Sequence, residues 1–200
     1  AGTCVVGQLL RERGYRYLGS DISFAMCRQS RQRGCQPLCV DARHLPFKDC
    51  FDVILFLYDG INYFPSLDDY RRFFHAAHGC LKPDGLLLFD ITTITNSLRY
   101  FSHFLDSEDF GSFSYVRTSF YDVNESIQHN DFVIYRRLAN NDRLYERHEE
   151  HHVQRVFETG DIAGVIPAER FETVGIYDGF SFRKHSSRSE RVHFLLRARA

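Results

Sequence analysis

Apolar runs alternate with amphipathic stretches through the first half of the chain, which predicts strands and helices in turn. The run from Phe51 to Leu57 is almost continuously apolar, as expected for a strand that is covered on both faces. Strand and helix in regular alternation favour a parallel sheet with helices on both faces. The predicted strands are 15–20, 36–40, 51–57 and 86–90, and the predicted helices are 4–13, 23–33 and 66–81.

The pattern changes after Thr93. Residues 96–110 are rich in aromatic side chains and are predicted to be helical. Residues 113–157 alternate with a period of two, and Asn140-Asn141-Asp142 is a hairpin-turn signal, so an antiparallel insertion is predicted there. The chain then returns to a helix and two strands. These last elements are predicted at 159–170, 171–177 and 191–197.

Composition narrows the class of protein. The chain has 25 basic and 26 acidic residues, so no global field attracts nucleic acid or an anionic membrane. No apolar run reaches the roughly 20 residues that span a bilayer. The 6 cysteines form no Cys-x-x-Cys pair, a usage typical of a reducing compartment. We therefore expect a cytoplasmic protein without nucleic acid or membrane partners; the oligomeric state stays open.

Two carboxylates, Asp21 and Asp41, end successive predicted strands. A glycine-bearing turn, Ala1-Gly2-Thr3-Cys4, lies about 20 residues before Asp21, the interval at which nucleotide-binding α/β folds place their ribose-binding acid. The two acids together predict a pocket for a nucleoside with free ribose hydroxyls. Each residue also has a structural alternative, Asp21 as a helix cap and Asp41 as a turn aspartate.

This ordered set of motifs resembles the class I S-adenosylmethionine-dependent methyltransferases. The resemblance covers the first 93 residues well, and the second half is similar to sugar-amine and glycine-type N-methyltransferases, mainly at 152–155 and 177–180. Cys4 stands where the family usually has a glycine. The segments that carry the resemblance are Ala1-Gly2-Thr3-Cys4, Gly19-Ser20-Asp21-Ile22-Ser23, Val40-Asp41-Ala42, 51–63 and 81–90.

The resemblance implies a Rossmann-like α/β fold with a mostly parallel, seven-stranded type of sheet and an antiparallel insertion. The first strand of that sheet would precede Ala1, so we expect the chain to be an N-terminally truncated piece. The implied division is a cofactor-binding core at 1–93, an inserted substrate cover at 94–157, and a segment at 158–200 that completes the core sheet. The implied reaction transfers a methyl group from S-adenosylmethionine to a small-molecule acceptor, at nitrogen.

The resemblance also assigns site residues. Tyr58, Asp59 and His152 are candidates for catalysis, although no catalytic base is fixed and Tyr58 could instead pack in the core. The further candidates on the acceptor side, each with a structural role as the alternative, are Tyr63, His103, Tyr121 and Arg155. The implied cofactor-binding residues are Ala1, Gly2, Thr3, Asp21, Ile22, Ser23, Met26, Asp41, Ala42, Leu57 and Tyr58.

The segment from His148 to His152 fits the HExxH pattern of zinc proteases. That pattern needs a helix, whereas the surrounding residues read as a strand, on which the two outer histidines would lie roughly 13 Å apart. No metal is predicted. Two other functions stay open: a nicotinamide-dependent oxidoreductase, disfavoured because only Gly7 recurs after Gly2, and a non-catalytic binding protein derived from the same fold.

Overall fold

The computed structural model describes residues 2–138 and 141–200. Helices and strands alternate up to β4, and an antiparallel segment follows. The helices are α1 (Val5–Glu12), α2 (Phe24–Gln32), α3 (Leu67–Cys80), α4 (Ile94–Tyr100) and α5 (Thr159–Gly164). The strands are β1 (Ser20–Asp21), β2 (Leu38–Cys39), β3 (Phe51–Phe56), β4 (Leu81–Thr92), β5 (His103–Asp109), β6 (Phe113–Asp122), β7 (Ile127–Leu138), β8 (Asn141–Arg155), β9 (Phe171–Asp178) and β10 (Arg191–Ala198).

The strands form three hydrogen-bonded sheets. A parallel pair, β1-β2, stands by itself, and a second sheet has the order β3-β4-β10-β9. In that sheet β3 and β4 are parallel, whereas β10 runs antiparallel to both of its neighbours. In the second sheet β3 and β9 are the two outer strands. The predicted core sheet is therefore present as two separately paired parts.

The hydrophobic core lies between α3 and the β3-β4-β10-β9 sheet. Tyr70, Phe73 and Phe74 project from one face of α3 and are almost fully buried, as the spacing of apolar residues on a helix requires. Phe89 of β4 and Phe194 of β10 stack with ring centroids 4.6 Å apart. This aromatic layer fixes the part of the sheet on which the candidate site is built.

The start of α3 follows the sequence prediction. Ser66 is the N-cap, and its hydroxyl accepts a hydrogen bond from the Asp69 backbone N–H at 3.3 Å while donating to the Asp69 carboxylate at 2.6 Å. Arg43, in the short 3₁₀ helix Ala42–His44, also donates to Asp69 at 2.6 Å. The loop after β2 is thereby attached to the core.

The insertion is a four-stranded antiparallel sheet in the order β5-β6-β7-β8. The prediction of antiparallel strands at 113–157 is confirmed, but the prediction of a helix at 96–110 is wrong in its second half. Helix α4 ends at Tyr100, and His103–Asp109 pairs with β6. The Asn140-Asn141-Asp142 turn signal falls partly outside the described residues.

Four other elements differ from the sequence prediction. Helix α5 ends at Gly164, well before Pro167, because a proline lacks the N–H that a helix needs and restricts the residue before it. The predicted strands at 15–20 and 36–40 are paired only at Ser20–Asp21 and Leu38–Cys39. The predicted turn at 82–85 lies within β4, where Asp84 has a φ of 62° and the register with β3 shifts.

Candidate functional site

Asp21 closes β1 and organises the backbone around it. One carboxylate oxygen accepts a hydrogen bond from the Gly2 N–H at 2.8 Å, and the other accepts one from the Ser23 N–H at 2.9 Å. Burial raises the pKa of Asp21, whereas the hydrogen bonds from the Ser23 and Gly2 N–H groups lower it, and the pKa lies below its ordinary value. Asp21 is therefore a carboxylate at neutral pH. It does not cap α2, because Ser23 does so through its hydroxyl and the Met26 N–H.

The turn before α1 leaves open space beside Gly2. Gly2 has a φ of +52°, and a Cβ built there meets nothing within 4 Å. Cys4, also left-handed with a φ of 68°, is fully buried. Burial first, and then its contact with Cys35, raise the pKa of Cys4 to about 11. The cysteine side chain thus packs inside the protein and does not crowd the turn; Ala1 lies outside the described residues.

Asp41 follows β2 and is occupied by an ion pair. Its side chain accepts a hydrogen bond from the Arg43 N–H at 2.9 Å, and its second oxygen receives the Arg43 guanidinium at 2.6 Å. The pair with Arg43 holds the pKa of Asp41 below its ordinary value. Ala42 packs against the hydrophobic core. The turn-aspartate role is thus present in the structure, and contact between Asp41 or Ala42 and a cofactor stays a prediction.

The loop after β3 carries two consecutive left-handed residues. Tyr58 has a φ of 64° and Asp59 a φ of 47°. Non-glycine residues in this conformation are uncommon and cluster at functional sites, where surrounding contacts hold them. Tyr58 is 73% exposed, so the alternative of core packing is wrong.

Asp59 supplies the contacts that hold this loop. Its N–H donates to the Asp90 carboxylate at 3.2 Å, and its own carboxylate pairs with Arg191 at 3.0 Å. The Gln154 side-chain amide donates to the other Asp59 oxygen at 2.8 Å. Arg191 also pairs with Asp90, so β3, β4, β8 and β10 all meet at this loop. A single carboxylate therefore joins the core sheet to the insertion.

A cavity of about 270 Å³ lies between this loop and the inner face of the insertion. Its wall combines two exposed tyrosines from the core with alternating side chains of β6, β7 and β8, since residues two apart on a strand share a face. The lining residues are Tyr58, Asp59, Tyr63, Arg117, Asn130, Phe132, His152 and Gln154.

Inside the cavity, Tyr63 and His152 are hydrogen bonded. The phenol oxygen lies 2.9 Å from His152 Nδ1, and His152 Nε2 lies 3.2 Å from a Glu150 carboxylate oxygen. Because a carboxylate only accepts, Nε2 carries the imidazole proton and Nδ1 accepts from the phenol. Burial first, and then the negative charge of Asp59, raise the pKa of Tyr63. Tyr63 thus keeps its proton at neutral pH and connects the cavity to His152.

Residues 1–89 match a family model described as "Methyltransferase domain". These 89 residues are similar to methyltransferase domains. The predicted resemblance to S-adenosylmethionine-dependent methyltransferases and the predicted Rossmann-like α/β fold are thereby confirmed.

Other similar proteins extend the comparison over almost the whole chain. The Bacillus subtilis protein YqeM, named only as a candidate methyltransferase, is 28% identical over 96% of this chain and 79% of its own length. A crystal structure of an S-adenosylmethionine-dependent methyltransferase from Clostridium acetobutylicum superposes with a TM-score of 0.84 at 21% identity, over 100% of this chain and 81% of that one. The sugar N-methyltransferase KedS8 from Streptoalloteichus gives 0.76 at 15% identity, over 100% and 77%.

The residues of the methyltransferase domain fit the nucleoside portion of such a cofactor. The ionised Asp21 lies at the carboxyl end of β1, beside the open space at Gly2. Two neighbouring apolar side chains, Ile22 and Met26, face solvent rather than the core. A nucleoside binds where a carboxylate can accept hydrogen bonds from the ribose hydroxyls and an apolar surface can contact the base.

The structure separates the acceptor-side candidates. Tyr58, Asp59, Tyr63 and His152 line one cavity. The remaining candidates are absent from its lining: the ring of His103 lies against Phe120 on the outer face of the insertion, Tyr121 is buried, and the Arg155 guanidinium lies over Phe157.

Four residues of the cavity wall were not predicted from the sequence. They follow a period-two pattern on the insertion strands, but whether they lie side by side depends on the register between the strands. The register places Ser119, Asn130 and His152 in one row and Tyr121, Gln128 and Gln154 in the next. The missed residues are Arg117, Asn130, Phe132 and Gln154.

The HExxH segment is part of strand β8, as predicted from its neighbours. His148 contacts Glu146, whereas His152 contacts Tyr63 in the cavity. Among the described residues, no group of three or more histidine, cysteine or acidic side chains is arranged to hold a metal ion. None of the described helices combines the length and apolar character required to cross a bilayer.

Proposed function

We propose that this methyltransferase transfers a methyl group from S-adenosylmethionine to a nitrogen atom of a small molecule bound in the cavity beside Tyr58. The observation that carries the proposal is the placement of this cavity, which lies against the loop at the carboxyl end of β3. Ligands of open α/β sheets lie outside that edge of the strands. The name of KedS8, a sugar N-methyltransferase with the same fold, supports nitrogen as the acceptor atom.

Asp21 is proposed to accept hydrogen bonds from the ribose hydroxyls. Its carboxylate, to which the Gly2 and Ser23 N–H groups donate, lies beside the open space at Gly2, where a ribose could approach. The backbone at Gly2 would pass beneath the cofactor, with Ile22 and Met26 along its apolar surface. The proposed cofactor set keeps the predicted residues Thr3, Ser23, Asp41, Ala42 and Leu57 as further contacts.

The cofactor supplies a methyl group that a sulfonium already activates for displacement. The protein then contributes mainly alignment, bringing the nitrogen and the methyl carbon to a separation of about 3 Å. An amine that arrives as an ammonium ion must first release one proton, because only a nitrogen lone pair can attack. Tyr63 would take that proton while its own passes to Nδ1 of His152, and Glu150 would stabilise the resulting imidazolium. These residues form one continuous path.

Calorimetric titration with S-adenosylhomocysteine tests the proposal. We expect micromolar binding by the unaltered protein and none by Asp21→Ala. Asp122→Ala is the matched control, because Asp122 also accepts two backbone hydrogen bonds, from Asn124 and Glu125, in a turn of the insertion. NADH binding without S-adenosylhomocysteine binding would instead indicate the oxidoreductase, and binding of neither ligand would indicate a non-catalytic protein.

Methyl transfer itself is measured with isotopically labelled S-adenosylmethionine and a panel of small amines, alcohols and thiols. Label should appear on amines and depend on His152. Label found only on oxygen or sulfur acceptors would overturn the assignment to nitrogen while leaving the methyltransferase activity in place.

A further inference from the structure

Arg117 lies in the cavity wall on β6, surrounded by aromatic rings. Its guanidinium carbon is 5.0 Å from the ring centroid of Phe101, 5.4 Å from that of Phe104 and 5.4 Å from that of Phe132. Cation–π contacts of this kind hold a guanidinium in place without neutralising it. The rings therefore fix Arg117 at the cavity as a pre-positioned positive charge.

The hydrogen bonds of Arg117 go to neutral acceptors, although the negative charges of Asp106 and Asp59 also act on it from beyond ion-pair distance. Nε donates to the Ser119 hydroxyl at 3.2 Å, and one terminal nitrogen donates to the Asn130 side-chain oxygen at 2.6 Å. Both acceptors are neutral. Within residues 2–138 and 141–200, no carboxylate lies within 4.0 Å of the Arg117 guanidinium nitrogens.

Two other partly buried arginines of this chain differ from Arg117 because each forms ion pairs with two carboxylates. Arg43 pairs with Asp41 and Asp69, and Arg191 pairs with Asp59 and Asp90. The pKa of each is raised, whereas burial lowers the pKa of Arg117. A partly buried charge that has no direct ion pair among the described residues is available to bind a ligand of opposite charge.

We propose that the acceptor molecule carries an oxyanion, a carboxylate or a phosphate, which Arg117 binds through its remaining N–H groups. A guanidinium matches either group because its fork of donors fits two oxygens at once. This inference rests on the proposed function, since it concerns the same cavity. The acceptor would then be a small molecule with both an amine, directed to Tyr63 and His152, and an acidic group, directed to Arg117.

Phe132 sets the distance between the two groups of such an acceptor. Its ring contacts the Arg117 guanidinium on one side and lies 5.6 Å from the His152 ring on the other. The cavity volume of about 270 Å³ fits only a small molecule or one end of a larger one. A short spacer between amine and oxyanion follows from this arrangement.

The experiment observes Arg117 directly and needs no turnover. The Nε–H signal of Arg117 is assigned by nitrogen-15 NMR from its loss in Arg117→Lys. The protein is then titrated, with and without S-adenosylhomocysteine, with 3-aminopropanoate, 2-aminoethyl phosphate and propylamine. We expect a saturable shift of the Arg117 signal with the carboxylate, the phosphate or both, and no shift with propylamine. The probe that acts at the lower concentration identifies the type of oxyanion.

Matched variants separate this site from general charge effects. Arg117→Gln should bind the effective probe at least about tenfold more weakly, the usual loss for a charge-assisted hydrogen bond. Arg136→Gln, on the neighbouring strand and paired with exposed Glu146, should bind like the unaltered protein. Retained dispersion of the remaining signals shows that each variant is folded.

Failure of the inference is distinguishable from failure of the proposed function. No shift with either oxyanion, or an equal shift with propylamine, overturns the oxyanion site, whether or not S-adenosylhomocysteine binds through Asp21. An oxyanion response without S-adenosylhomocysteine binding keeps the site and removes the methyl-transfer assignment.

Discussion

Tyr63 and His152 are 89 positions apart in the chain, yet the phenol oxygen and the imidazole Nδ1 lie 2.9 Å from each other. Tyr63 belongs to the 3₁₀ helix Gly60–Tyr63 of the core, and His152 belongs to β8 of the insertion. Asn62 holds the two elements together, because its side-chain amide donates to the Arg155 carbonyl at 3.2 Å. The proton path of the proposed reaction is thus assembled only when the insertion folds onto the core.

Loss of either end of this path should slow methyl transfer without weakening cofactor binding. Tyr63→Phe and His152→Gln are each expected to lower kcat by about 10²-fold, the lower end of the range for general acid–base groups. The double variant should be little slower than either single one, because both residues act in one path. His148→Gln on the same strand is the control and should retain full activity. A multiplicative effect in the double variant would show that the two residues act separately.

Removal of the Arg191 charge should strongly destabilise the fold. Arg191→Met leaves two carboxylates, Asp59 and the buried Asp90, without their cation, which costs about 3–5 kcal/mol in the free energy of unfolding. Arg197→Met on the same strand removes only an exposed pair with Glu172 and should cost at most about 0.5 kcal/mol. Urea denaturation measures both. Equal losses would mean that Asp59 and Asp90 do not depend on Arg191.

The acid side of the stability profile should depend on Asp69. The Ser66 hydroxyl first, and then Arg43, hold the pKa of Asp69 below its ordinary value of 3.8. Because the unfolded chain then binds the proton more tightly, the stabilisation is present above that value and is lost as the pH falls through the folded-state pKa. Asp69→Asn should therefore cost about 2–3 kcal/mol at neutral pH and progressively less below about pH 3.8.

Asp68→Asn is the matched control for this measurement. Asp68 lies in the same first turn of α3, but its side chain is 73% exposed, and among the described residues its ion pair is with Arg71. Its replacement should change the unfolding free energy by less than about 0.5 kcal/mol at every pH. A pH-independent loss in Asp69→Asn would show that shape, and not charge, is what Asp69 contributes.

The stack of Phe89 on Phe194 predicts a large packing effect. Both rings are fully buried, so Phe89→Ala should lower the free energy of unfolding by about 3–5 kcal/mol through lost burial and an unfilled cavity. Phe180→Ala, at a side chain that is 93% exposed, should cost less than about 0.5 kcal/mol. Thermal unfolding compares the two, and similar losses would contradict the placement of the core between α3 and β4.

Local patterns predicted the core elements because local chemistry determines them. Residues adjacent in the sequence are enough to recognise the Ser66 cap, the continuous apolar run of β3 and the period-two pattern of the insertion strands. The prediction of a helix at 96–110 followed from a segment rich in aromatic residues, and it is wrong for residues 103–109. Pairing with β6, a non-local interaction, makes this segment a strand and directs Phe104 toward Arg117.

The acceptor cavity was only partly predictable for the same reason. Tyr58, Asp59 and His152 were found through a family resemblance, whereas Arg117 and Gln154 carry no local signal. They matter because of their contacts in the folded protein. Arg117 contacts three aromatic rings, and Gln154 donates to Asp59. These contacts depend on strand register across the sheet, which short motifs do not encode.

The two hydrogen bonds from Gln154 to Asp59, one to the carboxylate and one to the backbone carbonyl at 3.4 Å, constrain how this protein can be re-engineered. A chimera that exchanges the insertion for one from another methyltransferase would replace both the residues that choose the acceptor and a support of the strained loop beneath it. A transplanted insertion that lacks an amide at the position of Gln154 should leave the Asp59 loop less well held. A chimera with a new acceptor specificity therefore has to keep Gln154.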